Sequence, residues 1–162
     1  MSDIMNREIK FRGKEAHSGE WVYGAYFTAD TTADYRLHFI IPGRKYEGPK
    51  SKLETYLTML RSKLVLVQSH TVGQFTGLID SAGKEVYEFD IVKDECSDQL
   101  YVVYFSVEES RIVRCPIEYY SGTDIENICF SHSTPKKWWQ RINRYVVGNI
   151  FDNPELIKYR YL

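Results

Sequence analysis

Four carboxylates, Asp80, Glu85, Glu88 and Asp90, fall within eleven residues of one another. Acids so close in sequence invite a general acid and base reading, in which one carboxyl donates a proton while another accepts. A hydrolase built on them would need a concave pocket gathering Asp80, Glu88 or Asp90. The surrounding residues favour a structural reading. Asp80 opens the turn-like run Asp80-Ser81-Ala82-Gly83, Asp90 stands at a bend before the next strand, and Glu85 and Glu88 can face water. Nothing nearby supplies a nucleophile with its base, and Thr71 and Thr76 are placed to bond local backbone. No catalytic residue is proposed.

A metal site would have to draw on His17, His38, His70, His132, Cys96, Cys115 and Cys129. Cys129 and His132 are close, but no second pair completes four ligands at a zinc spacing. No metal and no cofactor are expected. Gly73 and Gly77 lack the Lys-Ser or Lys-Thr that follows a phosphate loop, and Gly83-Lys84-Glu85 puts an acid where the hydroxyl belongs. Nucleotide hydrolysis is not supported.

The strongest binding feature is Lys136-Lys137-Trp138-Trp139-Gln140-Arg141-Ile142-Asn143-Arg144, four cations among two indoles with no acid. Cations meet phosphates and exposed indoles stack on unpaired bases, so Lys136, Lys137, Trp138, Trp139, Arg141 and Arg144 form a candidate binding surface for a single strand of nucleic acid. Trp and Arg are equally typical anchors between proteins. Charge is unevenly spread: residues 135–162 carry six basic and two acidic side chains, whereas residues 94–128 carry two basic and eight acidic. Complementary regions of this kind suit a contact between subunits or across one fold. The competing structural reading puts at least one Trp in the core and the cations on a solvated strand edge.

The elements that position these residues are mainly strands. Among 162 residues, 43% are hydrophobic, 27% charged and 15% aromatic, with 13 Tyr. That balance suits a folded domain with a real core and favours β structure. A formal charge of −1 provides no general field for nucleic acid or anionic membranes. Three widely spaced Cys are read as free thiols in a reducing cytosol, and no run resembles a signal peptide or a membrane span.

Alternation predicts strands around Ile9 and Phe11, over Trp21 to Phe27, and over Leu37 to Ile41, with a turn at Ser18-Gly19. Ser51 and Glu54 form a capping box, and Leu53, Leu57, Leu60 and Leu64 predict an amphipathic helix over Lys52 to Ser62. Val65 and Val67 start a strand leading to Thr71. Leu100 to Val107 and Arg111 to Ile117 predict a hairpin whose turn lacks the Asn-Gly signal. Ile142 to Phe151 predicts a closing strand, and Asn153-Pro154-Glu155 a helix start with Asn as cap.

The densest run of constrained positions is Thr71 to Val92, in which Gly73, Gly77 and Gly83 can each take positive φ. This run, with Arg7 to Arg12, Trp21 to Gly24 and Val147-Gly148-Asn149-Ile150-Phe151-Asp152-Asn153-Pro154-Glu155-Leu156, resembles the YopX family of phage and prophage proteins. Phe89 departs from the family pattern, which usually has Gly there. The resemblance implies a small SH3-like barrel and brings no established activity; with the strands and helices read above, the fold expected is mainly β, a small SH3-like barrel with added N-terminal strands, one inserted helix and a short C-terminal helix. Length and pattern together give one YopX-like domain over 1–162, with N-terminal strands at 7–41, an inserted loop and helix at 44–63, and the barrel core at 64–162. The combined expectation is a cytoplasmic, phage- or prophage-derived accessory protein that acts by binding or assembly, as a homo-oligomer or with a phage or host protein. The alternative is the single-strand-binding module.

Overall fold

Period-two alternation dominates the chain, and strands dominate the computed structural model, which describes residues 8–31, 35–43, 64–107, 109–120 and 144–158. The protein is mainly β, as expected. The chain divides into two compact units, Met1–Gln74 and Phe75–Leu162. That division falls inside the signature run, later than residue 64, where the barrel core was expected to begin.

In the first unit, β1 (Phe11–Lys14), β2 (Trp21–Asp30), β3 (Arg36–Pro42) and β4 (Val65–Leu66) pair antiparallel in chain order. Ile9 lies before β1 and is 69% exposed, so the first strand starts two residues later than the alternation implied. Gly19 takes φ +71° in the turn between β1 and β2. The fully buried Ile40 and nearly buried Val67 form the inner face, and Gly13 lets the chain approach Val67 closely. Gly24 is required by sterics: a Cβ there would stand 1.9 Å from the Ile41 carbonyl oxygen. Beyond Gly24, β2 and β3 continue as a ribbon to Asp30 and Arg36, carrying a stacked Phe27–Phe39 pair.

Strand β5 (Gly73–Ile79) carries the chain into the second unit, where it forms a hairpin with β6 (Glu85–Tyr87). β7 (Asp90–Asp94), β8 (Leu100–Ser106), β9 (Arg111–Pro116) and β10 (Arg144–Asn149) form a four-stranded antiparallel sheet in the order β10-β7-β8-β9. Alternation along β7 and β8 sorts their apolar residues to two faces. Val92 and Val103 pack with Leu78 and Val86 of the β5–β6 hairpin and with Ile112. Ile91 and Val102 pack on the other face with Ile117 and Tyr120, against Leu156 and Ile157 around the short helix α1 (Glu155–Lys158). The unit is therefore a four-stranded antiparallel sheet with the β5–β6 hairpin packed on one face and α1 on the other.

The β8–β9 hairpin forms without Asn-Gly because Ser110 takes φ +49° and donates its N–H to the Val107 carbonyl at 3.2 Å. The helix expected over Lys52 to Ser62 lies outside the described residues. Among the described residues, no helix is long and apolar enough to cross a membrane.

Candidate functional site

The clustered carboxylates bind the protein's own chain. Asp80 directly follows β5, and its Oδ1 accepts the N–H groups of Ala82 and Lys84, both at 2.8 Å, while Gly83 donates to the Asp80 carbonyl at 3.0 Å. This is the expected turn, with Gly83 at φ +84°. The other carboxylate oxygen reaches 66 residues along the chain to accept the Val146 N–H at 3.0 Å. Beside it the Arg144 N–H donates to Ser81 Oγ at 3.0 Å, and the Ser81 N–H donates to the Arg144 carbonyl at 2.9 Å. Asp80 and Ser81 thereby bind outward-facing amides of β10, which would otherwise be open to a foreign strand. Burial works to raise the Asp80 pKa, but the amides of Val146, Lys84 and Ala82 outweigh it and hold the group below its ordinary value.

The other three acids are also engaged. Asp90, 1% exposed, accepts the Tyr87 N–H at 2.8 Å. Glu85 accepts the Tyr87 hydroxyl at 2.8 Å, and Glu88 accepts the Phe105 N–H at 3.1 Å. The expectation that both glutamates simply face water is corrected, since each is half-buried against a neighbouring strand or ring. Thr76 donates to the Val86 carbonyl at 2.7 Å and accepts the Leu78 N–H. Thr71 joins the Lys14 amide to the Gln68 carbonyl. Both threonines bond backbone, as the sequence indicated.

The C-terminal motif is a second fastener. Asn149 Oδ1 accepts the amides of Phe151 and Asp152, and Asn153 Oδ1 accepts the Asn149 N–H. Asn153 was expected to cap α1, yet its oxygen turns back to β10 instead. Gly148 makes room for it, because a Cβ there would stand 2.2 Å from Asn153 Oδ1. This motif meets the first at Phe89, whose carbonyl accepts the Ile150 N–H at 3.0 Å and whose ring meets Phe151 edge-on at 5.6 Å. Phe89 itself holds φ +69°, the left-handed conformation that glycine adopts without penalty. The turn thus holds an aromatic residue in a conformation open to glycine.

The candidate surface changes most. Arg144 is 1% exposed and is removed from it. Its Nε donates to Asp94 Oδ1 at 2.5 Å, and Arg114 Nη1 stands 3.3 Å from both Asp94 oxygens. The Arg114 guanidinium lies 3.8 Å from the centroid of the Tyr101 ring. Four side chains, one from each strand of the sheet, thus form a largely buried cross-strand clamp. Burial lowers the Arg144 pKa from its ordinary value, with Asp94 opposing and Arg114 reinforcing the change. Arg144 is inside because its strand register places it directly opposite Asp94. Sequence reading singled out neither Asp94 nor Arg114. The available signal was position alone: Asp94 keeps step with Val92, and Arg114 stands between Val113 and Cys115. Lys136, Lys137, Trp138, Trp139 and Arg141 lie outside the described residues.

The remaining candidates are scattered. His17 and His70 are exposed, and His38 Nδ1 lies 2.6 Å from the Tyr26 hydroxyl. Burial raises the Tyr26 pKa, partly countered by Arg36. Among the described residues, no group of three or more His, Cys, Asp or Glu side chains is arranged to hold a metal. Cys129 and His132 lie outside those residues. Cys96 is an exposed free thiol, but Cys115 is fully buried and disulfide-bonded, which corrects the expectation of three free thiols and removes that support for a reducing compartment. Gly73 pairs with Arg12 in regular strand, and Gly77 takes φ +78° at the irregularity between Phe75 and Leu78. A cavity of about 480 Å³ opens at the far end of the β2–β3 ribbon, lined by Asp30, Thr31, Tyr35 and Arg36 and by none of the signature acids.

Fold and site together define a mainly β protein whose signature residues fasten strands and turns. The sequence matches the YopX protein family over residues 10–158, and the chain belongs to that family. The crystal structure of protein EF1440 from Enterococcus faecalis is similar in fold, with a TM-score of 0.50 and 17% identity, covering 93% of this chain and 99% of that one. No curated protein matches.

Proposed function

We propose that this protein acts by binding or assembly, as a phage- or prophage-derived accessory protein, and not by catalysis. The observation that carries this reading is the engagement of Asp80, Glu85, Glu88 and Asp90 by amides and a hydroxyl of the same chain. A general acid or base must present its proton site to a substrate, and Asp80 and Asp90 are buried in fastening roles. A homo-oligomer in the cytoplasm of a bacterial host is the form assigned to it, in keeping with the opposite charges of residues 94–128 and 135–162. Native mass spectrometry of the untagged protein at moderate salt tests this. A closed oligomer or a retained macromolecular partner is expected; a monomer at every concentration, with nothing retained, would overturn it.

The alternative, a single-stranded nucleic-acid-binding module, rests on the composition of Lys136, Lys137, Trp138, Trp139 and Arg141, now without Arg144. It predicts binding that weakens linearly with log salt concentration and is lost in Arg141→Glu. Salt-independent or unchanged binding would remove it.

A further inference from the structure

We draw no further inference here: the strongest candidate, the strip on one face of the β1–β2 hairpin where Lys10, Arg12 and Lys14 alternate beside Trp21 and Tyr23, has Arg12 and Lys14 set over the Trp21 ring and Lys10 paired with Glu8, and nothing in the structure shows what would cover the strip from outside.

Discussion

The seam along β10 and the far end of the β2–β3 ribbon both pair acids with cations or amides, yet they differ in what those pairs sustain. At the seam, Asp80 and Asp94 are buried, and each joins segments at least 50 residues apart. At the ribbon end, Asp30 and Arg36 form a 2.7 Å ion pair across neighbouring strands with both side chains mostly in water. Water already stabilises the ribbon charges, so their pairing adds little. Water is excluded at the seam, so a lost partner leaves a buried charge or amide without compensation. Asp80, Asn149 and Asn153 fall within the YopX-like blocks, whereas Asp94, Arg114 and Arg144 lie outside them, as does the ribbon end.

The largest expected effect follows from opening the seam at Asp94. Asp94→Ala leaves Arg144 and Arg114 in place without the carboxylate between them, and is expected to lower unfolding stability by about 3–5 kcal/mol. Urea denaturation followed by circular dichroism would measure it; a loss no greater than that of a surface substitution would show that the clamp is not confined as described. Next comes Asp80→Ala, which removes the acceptor of three amides and is expected to cost about 3 kcal/mol. Asp80→Asn should cost less, because an amide oxygen can still accept from the turn.

Asp80 also sets a pH dependence with a definite sign. Its folded pKa lies below the unfolded value, so the charged form stabilises the fold above the unfolded pKa of about 3.9, and that contribution is lost as pH falls through the lower folded value. The stability gap between wild type and Asp80→Asn should therefore be full at pH 6 and narrow below about pH 4. A gap that widens in acid would contradict the assignment.

Phe89 offers a smaller and more diagnostic test. Holding a bulky residue in the left-handed region costs about 1–2 kcal/mol, while an aromatic pair returns about 0.5–1.5 kcal/mol beyond its area burial. Phe89→Gly removes both terms and should change stability only modestly. Phe89→Ala keeps the backbone penalty and loses the ring, so it should be less stable than Phe89→Gly, by roughly 1 kcal/mol. Thermal melts of the two variants that ranked them the other way would argue against the left-handed turn. The smallest effect belongs to the ribbon: Arg36→Ala should leave the denaturation midpoint unchanged within error. A clear shift there would erase the contrast between the two regions.

Alternation located β2 and β3, and runs rich in β-branched and aromatic residues located β8 and β9, whose consecutive residues are buried. The Asp80 to Gly83 turn was equally legible, since its acceptor, its donors and its positive-φ residue lie within five positions. Local chemistry also indicated that Thr71, Thr76, Asp80 and Asp90 would bond backbone. Tertiary structure decided what depended on distant partners. Arg144 reads as a surface cation beside two indoles until the register of β10 on β7 sets it opposite Asp94. Asn153 reads as a helix cap until the fold presents it with the Asn149 amide, and Cys115 reads as a free thiol until a disulfide claims it. Burial, charge pairing and side-chain direction are properties of neighbours in space, and periodicity in sequence carries them only when those neighbours are close along the chain.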